Sequence, residues 1–93
     1  REMCEYKYYN DDENICVNVK LKISKNAEYR VYDEFQDAEK TADCDFIVNM
    51  SYRENEWLYG YIMSFGEYAE VLEPTYIRDI IKTKIEKMIN NYL

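Results

Sequence analysis

At 93 residues the chain is long enough for one domain with a single core and too short for two. An apolar fraction of 47% with 33% charged residues fits a folded soluble protein, and no apolar run has the length of a membrane span or the form of a signal peptide. Twelve basic against 19 acidic residues give a formal charge of −7, which repels nucleic-acid phosphates overall, and the absence of histidine removes the usual base of catalytic triads.

The chain begins at Arg1 rather than methionine and reads as a piece of something longer, with a cytoplasmic location expected. Residues 1–14 mix Tyr6, Tyr8 and Tyr9 with the polar run Asn10-Asp11-Asp12-Glu13-Asn14 and show no period. They read as a linker or tail from a preceding domain, and 15–93 as the domain itself. From Ile15 to Ile23 the alternation is strict: Ile15, Val17, Val19, Leu21 and Ile23 point one way, and Cys16, Asn18, Lys20 and Lys22 the other. This pattern predicts a central strand buried on one face.

Ser24 or Asn26 can cap a helix carrying Ala27, Val31, Phe35 and Ala38 at steps of four and three, with Tyr32 widening the stripe. A short edge strand is expected over Ala38 to Ala42, then a tight turn at Asp43-Cys44-Asp45. The acids around that turn lack the order and the glycine of a calcium loop. Phe46, Val48, Met50 and Tyr52 alternate with Ile47, Asn49, Ser51 and Arg53, a second strong one-sided strand.

Asn55 can cap a helix in which Trp57, Leu58, Tyr61, Ile62 and Phe65 fall at helical spacing and Gly66 is the stop. A strand through Trp57, Tyr59, Tyr61 and Met63 competes, but Leu58, Ile62 and the glycine favour the helix. Ala69 to Glu73 is a short strand ended by Pro74, whose missing N–H cannot continue a ladder. Thr75 can cap a last helix with Ile77, Ile81, Ile85, Met88 and Tyr92 in one stripe, widened by Ile80 and Ile89.

The order strand, helix, weak strand, strong strand, helix, short strand, helix predicts an α+β fold: a ferredoxin-like βαββαβ sandwich with an added C-terminal helix. In that topology the first and third strands are central, and these are the two with the strongest alternation. The face left open carries Cys16, Asn18, Lys20, Asn49 and Ser51 and few aromatics, unlike the base-stacking faces of RNA-binding sheets.

Several segments in order resemble a known family. They are Tyr29-Arg30-Val31-Tyr32-Asp33-Glu34-Phe35, Trp57-Leu58, Ser64-Phe65-Gly66, Ala69-Glu70-Val71-Leu72-Glu73-Pro74 and Ile77-Arg78, ending in Tyr92. Together they resemble the C-terminal extension (WCX) domain of WYL-domain helix-turn-helix transcriptional regulators. The resemblance implies a parent with an N-terminal DNA-binding winged helix-turn-helix and a ligand-sensing WYL barrel, neither present in this sequence. It also implies a regulatory and oligomerisation role, with partners being the parent's other domains, a second copy in a homodimer, DNA through the absent N-terminal domain, and a small-molecule or nucleic-acid effector. Trp57-Leu58-Tyr59 is not the WYL motif. A departure is Cys44, where related sequences tend to carry a turn glycine.

Cys4, Cys16 and Cys44 show no CxxC spacing, so they read as reduced thiols rather than a metal site, and no cofactor is expected. No catalytic constellation is visible, so the chain does not read as an enzyme. Trp57, Tyr61 and Phe65 read as helix-sheet packing before they read as a pocket, and Asp33-Glu34 as a solvated helix face before an acid-base pair. The candidates for interaction are Lys20 and Asn49 on the open face and Arg78 and Lys82 on the last helix. There, with Lys84 and Lys87, they outnumber Asp79 and Glu86. The alternative function is a small-ligand or nucleotide-binding sensor of ferredoxin-like fold.

Overall fold

The computed structural model describes residues 16–93; the expected tail at 1–14 and the strand residue Ile15 lie outside the described residues. The elements are β1 (Cys16–Ile23), α1 (Glu28–Glu34), β2 (Glu39–Lys40), β3 (Phe46–Arg53), α2 (Glu56–Met63), β4 (Ala69–Glu73) and α3 (Thr75–Asn90). One antiparallel sheet runs in the order β2-β3-β1-β4, consistent with the ferredoxin-like arrangement that the alternation predicts.

β1 is central because both of its edges are used. It pairs with β3 over its whole length, from Cys16 opposite Arg53 to Ile23 opposite Phe46, and with β4 from Lys20 to Ile23, with a bulge between Lys20 and Leu21. Val19, Leu21 and Ile23 from β1 enter the core beside Phe46, Val48 and Met50 from β3 and Val71 from β4. Val31 of α1, Leu58, Tyr59 and Ile62 of α2, and Ile77 and Ile81 of α3 close the same cluster, so all three helices cover one face. The period-2 pattern of the strands thus decided where the helices had to go.

Local chemistry sets the boundaries. The Ser24 hydroxyl accepts from the Asn26 N–H at 3.1 Å and caps a short 3-10 turn (Lys25–Ala27), whereas α1 itself starts behind Ala27 with no side-chain cap, so neither Ser24 nor Asn26 caps α1 directly. α1 is shorter than its spacing predicts: Phe35 is already extended, at φ −131 and ψ 138. Leaving the helix there lets the chain descend to the sheet edge, while the Phe35 ring still packs 6.4 Å from that of Phe65.

β2 is reduced from the expected Ala38–Ala42 to Glu39–Lys40, since Thr41 already belongs to the turn. Its N–H donates to the Asp45 carbonyl at 2.8 Å and its hydroxyl accepts from the Asp43 and Asp45 amides. Cys44 sits in that turn at φ 70, the left-handed region that glycine occupies without cost.

The helical reading of the Trp57 segment holds. The Asn55 side chain accepts from the Leu58 N–H at 3.0 Å, satisfying a first-turn amide that a strand would not leave orphaned. Phe65 turns inward with 3% exposure, and Gly66 follows at φ 61, as its placement as a helix stop requires. Pro74 ends β4 and occupies the cap position of α3, so Thr75 is the first helical residue and makes no cap. The extended backbone of Pro74, at ψ 162, displaces the start by one residue from the expected Thr75 cap.

Cys16 is disulfide-bonded and Cys44 is free and exposed, which corrects the expectation of three reduced thiols. Spacing along a chain does not show which thiols the fold brings within bonding range.

Two stability changes follow. Leu21→Ala should lower unfolding free energy by about 2–5 kcal/mol in urea titration, since the side chain has no exposed surface. Cys44→Gly should raise it by about 1 kcal/mol in the same assay, by relieving the left-handed backbone.

Candidate functional site

α3 carries two different surfaces on one stripe. Its first half is locked down: Ile77 is fully buried and Ile81 nearly so. Tyr76 donates to Glu54 Oε1 at 2.7 Å, Lys84 reaches Glu56 Oε1 at 2.9 Å, and Arg78 Nη1 donates both to Glu70 Oε2 and to the Val71 carbonyl at 2.7 Å. Glu54 also accepts from Tyr59, so one carboxylate ties α2 to α3. Burial, followed by that bond to Glu54, pushes the Tyr59 hydroxyl up to about 12.

Beyond Lys84 the apolar stripe of the helix is uncovered. Ile85, Met88 and Ile89 are 45%, 47% and 50% exposed, although they continue the stripe of Ile77 and Ile81. Length explains this. Sixteen helical residues span about 24 Å, whereas the five residues of β4 span about 17 Å, so the helix outruns the strand it packs on. Beneath Ile85 lies an apolar recess of about 330 Å3, walled by Met63, Ala69, Val71, Ile81 and Met88. On its other flank a shallower recess of about 260 Å3 is bordered by Glu70, Arg78, Lys82 and Glu86.

Of the residues singled out in the sequence, Arg78 and Lys82 therefore fall together, one turn apart on the rim of the α3 surface. Arg78 is occupied as a clamp between helix and strand rather than available as a free cation. Its pair with Glu70 is half exposed and adds about 0–1 kcal/mol at most, so the bond to the Val71 carbonyl is its more specific role. Lys20 and Asn49 also fall together, directly opposite each other on β1 and β3 and away from the helices. The two pairs lie on different surfaces. Ile85, Met88 and Ile89 were legible as a stripe but not as a surface, because a stripe does not say where its cover ends.

A second cluster joins α1 to the end of α2. The Arg30 guanidinium bonds Glu34 through Nε at 2.9 Å and Nη2 at 3.2 Å, reaches the Ser64 carbonyl and hydroxyl at 3.1 Å, and lies 3.7 Å over the Phe65 ring. Tyr61 donates to Glu34 as well, so Glu34, exposed as the solvated-face reading of Asp33-Glu34 expects, also ties α1 to α2. The Arg30 bond holds the Glu34 carboxyl below its ordinary range against an opposing push from burial. Burial and the Glu34 bond raise Tyr61. Trp57 stacks on Tyr61 at 5.1 Å with Tyr52 beside both, a half-buried ladder that seals the helix-sheet seam, as the packing reading of these aromatics expects.

Among the described residues, no group of three or more cysteines and carboxylates is placed to hold a metal ion, and no helix is long and apolar enough to cross a membrane. The exposed apolar groups and the open sheet edges offer binding, and no nucleophile is paired with a base beside either recess.

Comparison with known proteins places the chain in a family. The family model of the WCX domain matches residues 17–89, and the chain belongs to that family. It is 34% identical over 61 residues to YobV, an HTH-type transcriptional regulator of Bacillus subtilis (strain 168). That match takes in 66% of this chain and 19% of YobV, so the chain corresponds to a small part of the relative's length.

The Glu34 cluster yields a pH test. Its folded pKa is depressed, so its stabilisation is complete above the unfolded value of about 4.3 and is lost as pH falls through the lower folded value. Melting temperatures of the wild type and Glu34→Gln should differ near neutral pH and converge in strong acid. A gap unchanged with pH would show that the carboxylate charge contributes nothing.

Proposed function

We propose that this WCX domain is a regulatory and oligomerisation module of a WYL-type transcriptional regulator, supporting dimerisation and transmitting ligand state instead of contacting DNA bases. The observation that carries this reading is the exposed continuation of the α3 stripe, Ile85, Met88 and Ile89, beside an apolar recess, on a helix whose first half is firmly held. A rigid helix with an uncovered apolar face suits docking against a second copy or a neighbouring domain of the parent. Family membership and a relative that is an HTH-type transcriptional regulator support the regulatory part. The net charge of −7 argues against a direct role on DNA phosphates. DNA contact then belongs to another domain of the parent, and the location is cytoplasmic. In that reducing compartment the Cys16 disulfide would tend to open, leaving β1 held by its two ladders.

Regulation by binding needs no catalytic group, and the module acts as a non-enzymatic part. A second reading, a small-ligand sensor, draws on the recess of about 330 Å3, which reaches the lower end of ligand-site sizes. Its apolar lining favours an apolar effector over a nucleotide. Lys82 at the rim, beside the clamped Arg78, would orient a partner's acidic groups, and Lys20 and Asn49 remain candidates on the other face.

Sedimentation equilibrium tests the leading reading. The chain should self-associate, and Ile85→Glu combined with Met88→Glu should abolish association while changing the monomer's stability by less than about 1 kcal/mol, because both positions are already half exposed. A wild-type chain monomeric at every concentration would remove the dimer reading. Thermal stabilisation of that monomer by small apolar compounds would favour the sensor.

A further inference from the structure

The two edges of the sheet are finished differently. Along β4, Arg78 bonds the Val71 carbonyl, α3 packs on the strand and Pro74 ends it. On the opposite side β2 offers two residues, pairing Glu39 with Ile47 and Lys40 with Phe46, while β3 continues to Arg53. The Asp45 carbonyl accepts from Thr41 on the β2 side. With the two-residue period of a strand, Asn49 and Ser51 turn their backbone N–H and C=O groups to that same side, where no described strand meets them.

A groove of about 580 Å3 follows this free stretch, with Phe35, Met50 and Tyr52 as its apolar lining and Glu34 and Asp37 on its outer wall. Asp37 is exposed and has no ion pair among the described residues, whereas Glu34 beside it is paired with Arg30. Donors and acceptors that alternate along an open strand are matched as a set by another extended backbone. The acidic wall selects its side chains. A second copy is disfavoured as occupant, because pairing two such edges would bring both acidic walls together in a molecule of charge −7.

We propose that the β3 edge at Asn49 and Ser51 is a docking site for a basic, extended segment of a partner protein, which adds as a fifth strand. Its backbone pairs with Asn49 and Ser51, alternate apolar side chains enter beside Phe35 and Met50, and a lysine or arginine lies against Asp37. The site is separate from the α3 surface and does not depend on it. It also accounts for the brevity of β2: a longer strand would occupy the groove.

The test uses the 93-residue chain and three capped synthetic peptides: alternating valine and lysine, alternating valine and glutamate, and the lysine peptide N-methylated at alternate residues. Residue-resolved amide exchange is the readout. The lysine peptide at saturation should slow exchange at Asn49 and Ser51 by about tenfold or more, and the glutamate and N-methylated peptides should not. Asp37→Lys should weaken binding at least about threefold with the fold unchanged. Ser51→Pro removes an edge N–H and should abolish binding. Absence of protection by the lysine peptide, equal protection by the glutamate peptide, or concentration-dependent protection of Asn49 and Ser51 by the chain alone would each overturn the proposal.

Discussion

Everything else in this domain depends on β1 being paired on both sides. Its ladder to β3 spans eight residue pairs, and the ladder to β4 runs from Lys20 to Ile23 across a bulge between Lys20 and Leu21. A slip of one residue in either ladder would turn Val19, Leu21 and Ile23 out of the core and bring Asn18, Lys20 and Lys22 in. The cost of burying those polar groups fixes the register, and the register fixes the face on which α1, α2 and α3 must lie. The open face, with Lys20 opposite Asn49, is therefore a consequence of the packing on the other side.

With that face settled, the polar clusters act as ties between elements. Arg30 joins α1 to the end of α2 through Ser64, Glu34 joins them through Tyr61, and Glu54 joins α2 to α3 through Tyr59 and Tyr76. Arg78 joins α3 to β4. Apart from Tyr59, whose ring lies in the core, none of these groups is buried, and no buried side-chain polar atom among the described residues is left without a partner. The interior is thus held by apolar packing, and the charged groups set the angles at which the helices leave it.

Much of the fold was legible because alternation in β1 and β3 and the Asn55 cap are local signals. What failed did so where tertiary geometry decides. α1 stops at Glu34 because the chain must reach the sheet edge, although Ala38 keeps the helical spacing. β2 shrinks because Thr41 is drawn into the turn that Cys44 closes. The site was legible only in pieces: Arg78 and Lys82 were visible as charges, but the Arg78 bond to Val71 and the overhang of Ile85 and Met88 depend on relative lengths of helix and strand. Cys16 shows the same limit, since no spacing rule discloses its bond.

The described residues of this WCX domain form a closed apolar core and leave Ile85, Met88 and Ile89 of α3 half exposed, the surface proposed above for docking. Residue-resolved hydrogen exchange, compared between the chain alone and the proposed full-length regulator, tests that docking role most directly. The β1 amides should be equally slow in both. The amides from Ile85 to Asn90 should exchange quickly in the isolated chain and become protected in the full-length protein. Equal exchange in both states at Ile85, Met88 and Ile89 would contradict the account.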